Sequence, residues 1–123
     1  MNTNVLKIFI ITIIALSMLL LGFETSQAAD KKKIMFIYAS WSVVCRDLRP
    51  VAANVAASLN VPYEEYDIDS QNTHDLLQKL NIQIPTDTPN VLIFNADKVV
   101  FNKTYNNSTP DILRKDLLQN ISK

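Results

Sequence analysis

Residues 34–45 read Ile-Met-Phe-Ile-Tyr-Ala-Ser-Trp-Ser-Val-Val-Cys, and the change of pattern inside this stretch decides the fold. Its first five residues form a continuous apolar run. A run with no polar side to give to water predicts a strand covered on both faces, central in its sheet and parallel to a neighbour. After Trp41 the period changes. Val44, Leu48, Val51, Val55 and Leu59 recur every three or four residues, which places them along one side of a helix. Ser42 stands before that pattern, where an N-cap hydroxyl accepts from a free backbone N–H. Pro50 falls inside the helix, removes one hydrogen bond and predicts a kink. A central strand leading straight into a helix opens a strand–helix–strand unit, whose crossover is right-handed.

Downstream, residues 61–68 predict a second strand, with Tyr63, Tyr66 and Ile68 set among acidic residues. Asn72 or Thr73 is placed to cap a short helix carrying Leu76, Leu77 and Leu80. Residues 81–89 form a loop containing Pro85 and Pro89. Val-Leu-Ile-Phe at 91–94 predicts a third strand, and Asn95-Ala96-Asp97 turns it back into a fourth over 99–105. Thr109-Pro110-Asp111 is a strong helix start, with a capping residue, a proline and an acid in the first turn. Ile112, Leu113, Leu117, Leu118 and Ile121 give that last helix an apolar face. The expected class is therefore α/β, a four-stranded mixed sheet with helices on both faces. The one glycine is Gly22, so every later turn rests on Asn, Asp or Pro. Asn81, Asn95 to Asp97 and Asn106-Asn107 supply them, Asn being the most tolerant of the left-handed region.

Upstream, residues 1–28 are a separate object. A short segment with Lys7 precedes an almost wholly apolar run over 8–23, followed by Ser26-Gln27-Ala28. That is the layout of a signal peptide cleaved after Ala28; a sixteen-residue run falls short of the roughly 20 that span a bilayer. The expected organisation is a signal peptide over 1–28 and one domain over 29–123. The protein is then exported, to the periplasm of a Gram-negative bacterium or otherwise secreted, and is free of the membrane once cleaved. Twelve basic and twelve acidic side chains balance, which leaves no electrostatic footprint for nucleic acid or an anionic membrane. Export implies an oxidising compartment, yet Cys45 is the single cysteine and forms no internal disulfide.

Tyr38-Ala39-Ser40-Trp41-Ser42-Val43-Val44-Cys45 resembles the active-site segment of the thioredoxin superfamily, aromatic-Ala-x-Trp-Cys-x-x-Cys, with Ser42 in place of the first Cys. Pro50 follows Cys45 by five residues, where thioredoxins keep a kinking proline. Tyr66-Asp67-Ile68-Asp69 is similar to the second-strand ending of that family, and Thr88-Pro89 followed by 90–94 to its cis-proline and apolar strand. Ile84-Pro85-Thr86 is the rival for the cis-proline. The resemblance covers residues 32–123 and implies a thioredoxin-like fold without the extra N-terminal strand and helix of full thioredoxins. It also implies site residues: Cys45 and Ser42 for chemistry, Trp41, Thr88 and Pro89 for binding. Phe36 stands where many thioredoxins bury a carboxylate that moves protons.

In such a site the first Cys lies at a helix N-terminus, which stabilises the thiolate that attacks a disulfide, and the second Cys resolves the mixed disulfide. A serine hydroxyl forms no comparable anion near neutral pH, so two-thiol exchange is closed to this chain alone. Ser42 is then an N-cap or a hydroxyl that holds a thiolate. Cys45 is a core residue or a single reactive thiol, joined in mixed disulfides to a partner protein or to a small thiol such as glutathione. The alternative is a catalytically inactive binding module in which Trp41 and Thr88-Pro89 receive an extended peptide. No cofactor is implied. His74, the one histidine, reads as solvated, and one His with one Cys closes no zinc site.

Overall fold

The computed structural model describes residues 31–123; the expected signal peptide lies outside the described residues. The element order is β1 (Lys32–Tyr38), α1 (Val43–Ser58), β2 (Tyr63–Asp67), α2 (Gln71–Lys79), β3 (Asn90–Asn95), β4 (Lys98–Thr104) and α3 (Pro110–Ile121). The sheet order is β2-β1-β3-β4. β1 pairs with β2 in parallel and with β3 antiparallel, so the apolar run at 34–38 is the inner strand it was expected to be. β3 and β4 form a hairpin, with Val100 as the extra residue of a bulge between the Ile93–Phe101 and Phe94–Val99 pairs.

Strand side chains alternate between two cores. Ile34, Phe36, Val91 and Ile93 pack under α1 and α3 with Leu48, Ala52, Val55, Leu113 and Leu117. Met35, Ile37, Leu92 and Phe94 pack under α2 with Leu77. The first core is closed by Tyr105, whose hydroxyl donates to Asp116 on α3 at 2.8 Å. Lys103 also donates to Asp116, at 2.8 Å. The lysine bond holds the Asp116 carboxyl below the usual carboxylate range, while burial and the carboxylate push the Tyr105 hydroxyl up.

Several sequence expectations are corrected. The cap of α2 is Ser70, not Asn72 or Thr73; Ser70 accepts the Thr73 and His74 N–H groups through its carbonyl, and Thr73 is buried instead. Leu59 and Leu80 lie just past their helices and are exposed, as are Ile112 and Leu118 on α3. The buried stripe of α1 runs through Cys45, Leu48, Ala52, Val55 and Ala56. Pro50 does lie inside α1, as expected. Thr109 occupies the cap position of α3 but its side chain makes no cap bond.

The glycine-free turns have a common solution. Both α1 and α2 end in the same motif, in which Asn60 and Asn81 take φ of 55° and 58°. Val61 and Ile82 then donate back to Ala56 and Leu77, and Asn60 and Asn81 to Ala57 and Gln78. This is the left-handed helix stop that usually uses Gly. In the β3–β4 hairpin it is Ala96, not an asparagine, that takes the positive φ, at 57°.

Candidate functional site

The C-terminal ends of the parallel strands β1 and β2 lie at one end of the sheet, where open α/β sheets gather their sites. The turn after β1 closes through Ser42 N–H donating to Ala39 O at 3.1 Å. Ser42 is the N-cap of α1: its backbone is extended, its hydroxyl accepts the Cys45 N–H at 3.3 Å and its carbonyl accepts the Arg46 N–H. The hydroxyl is thus occupied by the helix. Cys45, one turn in, is 1% exposed, and its sulfur accepts the Ala39 N–H at 3.4 Å. Phe36 is fully buried in the first core and tilts against the Tyr63 ring. Among the described residues the buried polar side chains are Thr73 and Asn90. No carboxylate among the described residues is therefore buried in either core.

Trp41 is the opposite of Cys45. It is 76% exposed, and its indole N–H donates to Asp69 at 3.3 Å, which ties the loop after β1 to the loop after β2. One cleft beside the indole, of about 290 Å³, is lined by Ala39, Ser40, Ser42, Val43, Cys45, Arg46 and Arg49. A second cleft of about 290 Å³ is lined by Ile68, Asp69, Pro85, Thr86, Asp87 and Thr88. Trp41 is a wall of both. Arg49 lies over the Tyr38 ring, 4.1 Å from its centroid, and pairs with Glu65. The Glu65 bond raises the guanidinium pKa further, so Arg49 stays charged beside the first cleft.

The structure therefore brings Trp41, Ser42 and Cys45 together around one cleft and Trp41 and Thr88 around the next. Pro89 lines neither. The cis peptide is Thr88–Pro89, which decides between the two prolines. Pro89 is buried, and its carbonyl accepts the Tyr105 N–H at 2.8 Å; Pro85 is a cleft residue instead. His74 is not simply solvated: it is half-buried, with Nε2 2.6 Å from the Ile68 carbonyl. Sequence reasoning missed Asp69 and Arg49 as site residues. The only signal for Asp69 was its place at the end of a strand beside the tryptophan-bearing turn.

No protein-family model matches the sequence, and no curated protein matches it. Solved structures do. Thioredoxin from Fasciola hepatica superposes with a TM-score of 0.59 at 17% identity, over 81% of this chain and 90% of that one. Oxidised thioredoxin from Plasmodium falciparum gives 0.58 at 15%, over 80% and 88%. Thioredoxin f from spinach chloroplast gives 0.58 at 23%, over 78% and 74%. The fold is that of thioredoxin. The residues that the sequence resemblance points to, Ser42, Cys45 and the cis Thr88–Pro89 pair, are those described above. This is thus a one-cysteine chain with a thioredoxin-like fold, in which Ser42 caps the helix and Cys45 faces inward.

Proposed function

We propose that this thioredoxin-like protein works in thiol–disulfide chemistry as a receiver of an extended polypeptide segment, not as a two-thiol exchange catalyst. One observation carries the proposal: Trp41 is 76% exposed, between two clefts, with its indole fixed by Asp69. A tryptophan buries some 150–250 Å² when covered, a gross gain on the order of 4 kcal/mol, and a ring already tethered loses little freedom on binding. The segment lies across Trp41 and along residues 85–88. The thioredoxin fold and the single cysteine support the redox setting. The apolar leader over 1–28 supports export to an oxidising compartment. Emission of Trp41, the chain's one tryptophan, reads the site directly. Unstructured ten-residue peptides should shift it. Calorimetry should then find binding kept in Cys45→Ala and lost in Trp41→Ala. A library with no binder ends this reading.

A second reading has its own observation, since Cys45 forms part of the wall beside Trp41. Here the Cys45 thiol loses its proton to solvent and its sulfur attacks a disulfide in the partner or in oxidised glutathione. One S–S bond forms to Cys45, one breaks, and the displaced sulfur leaves as a thiolate. Release needs an incoming thiol from outside, because the chain has no second cysteine. A thiol reagent added under native conditions tests it. Reaction before unfolding supports a working thiol; reaction only in denaturant leaves Cys45 as a core residue.

A further inference from the structure

We infer that the groove continues into a third cleft that reads an uncharged carboxamide side chain, Asn or Gln, of the bound segment. The inference rests on the receiver reading above. The cleft, of about 230 Å³, is lined by the segment Gln83-Ile84-Pro85-Thr86, with Ile84 its aliphatic side chain, and by Asn90, Asn102 and Thr104. Pro85 and Thr86 also line the cleft beside Trp41, so a segment lying along residues 85–88 passes directly over its rim. The volume suits one side chain; pockets for drug-sized ligands begin at roughly 300 Å³.

Its chemistry comes from an amide in an unusual place. Asn90 is 5% exposed and opens β3, directly after Pro89, in a strand whose next four residues are apolar. A buried amide without partners costs about 1–3 kcal/mol. Asn90 uses both N–H bonds of its side chain on β4, donating to Asn102 at 2.9 Å and to Thr104 at 3.2 Å. Thr104 is its direct register partner. The Asn90 side-chain oxygen accepts no bond from the described residues. It is not sealed in either, since the enclosed side-chain polar atom without a partner is the Tyr63 hydroxyl. Asn90 lines the cleft, and we assign its unpartnered oxygen to that opening.

The wall therefore presents an acceptor on Asn90, a free side-chain N–H₂ on Asn102, and the Thr86 hydroxyl. No charged side chain lines the cleft. A charged ligand group would lose water and gain no counter-charge. An apolar group would leave the Asn90 oxygen unpaired. A carboxamide meets both needs, giving N–H to Asn90 and accepting from Asn102 or Thr86. Turning both wall amides over exchanges donor and acceptor and leaves the same demand for a neutral two-way partner.

The test uses the full protein and a peptide that shifts Trp41 emission. Each peptide position is replaced in turn by Gln, Asn, Ala, Leu, Glu and Lys, and Kd is measured by calorimetry. At one position Gln or Asn should bind about tenfold tighter than Ala, the worth of one or two good hydrogen bonds, with Glu and Lys no better than Ala. In Asn102→Ala, at an exposed β4 position, that preference should fall below about twofold while the Ala peptide keeps its Kd. Thr86→Ala gives a second variant outside the sheet and should lower the same preference. Peptides that bind without an amide preference, or with one unchanged in both variants, overturn the inference and leave the receiver reading standing. Absence of any peptide binding removes both.

Discussion

The two faces of the sheet are built from alternate residues of the same strands, yet they end differently. The face holding Ile34, Phe36, Val91 and Ile93 is covered by two helices, α1 and α3, and is locked at β4 by Lys103 and Tyr105 on Asp116. The face holding Met35, Ile37, Leu92 and Phe94 has α2 alone. Where α2 stops, the strands show amides and hydroxyls instead of apolar side chains, at Asn90, Asn102 and Thr104. The difference teaches where stability and recognition separate in a small domain. The two-helix face supplies the core, and the clefts lie at the sheet's end and along the margin that one helix leaves open.

The largest expected change is chemical and leaves both cores intact. Ser42→Cys places two thiols three residues apart at the start of α1, on one side of the helix. Mild oxidation should close a 42–45 disulfide, so that a free-thiol count gives none where the reduced variant gives two. Turnover of a disulfide substrate should rise above that of the parent. It should stay below that of an ordinary thioredoxin, because Phe36 supplies no proton acceptor. Two free thiols after oxidation would mean that residues 42 and 45 do not face each other.

Core truncation sharpens the comparison of faces. Leu117→Ala, between two helices and the sheet, should cost toward the upper part of the usual range of about 2–5 kcal/mol, and Leu77→Ala, under one helix, about 2 kcal/mol. Urea unfolding with an unchanged m-value is the measurement. Equal losses would mean that the single helix packs its face as fully as the pair.

The lock on the two-helix face is pH-dependent. The Asp116 carboxyl is held below its unfolded value, first by the Lys103 bond. Its contribution is therefore complete above the ordinary carboxylate pKa of about 4 and fades as pH falls below that through the lowered folded value. Asp116→Asn should cost about 1–2 kcal/mol at pH 7, and the gap from the parent should close as the pH approaches 2. A gap that stays constant with pH would show that the charge contributes nothing.

The smallest effect belongs to the hairpin that joins the faces. Ala96 sits at φ 57°, where an L-residue with a Cβ is strained by roughly 1–2 kcal/mol, partly offset by the chain entropy a glycine would lose. Ala96→Gly should raise stability by about 0.5–1 kcal/mol, seen as a higher Tm. A lower Tm would mean that the turn carries no strain there.

Local pattern carried much of this in the sequence. The apolar run at 34–38 was legible as an inner strand because both its faces are covered. Ser42 was legible as a cap because that depends on neighbours a few residues away. Thr88–Pro89 was legible as the cis pair only through the resemblance, with Pro85 as its rival until the structure decided. The resemblance to thioredoxin was legible in the ordered set around Trp41 and Cys45. What lay beyond reach depends on distant partners. Leu59 and Leu118 fit their helical stripes, yet only packing decides which part of a stripe meets the sheet. Ala96 carries the left-handed φ because hairpin register, not residue preference, chooses that position. Trp41 and Asp69 meet across 28 residues, and Asn90 meets Asn102 and Thr104 across a strand pair. The sequence by itself determined the elements and their order, since hydrogen-bond periodicity and capping are local. Tertiary structure alone decided which side chains share a cleft, since that is set by strand pairing and by how far one helix covers a face.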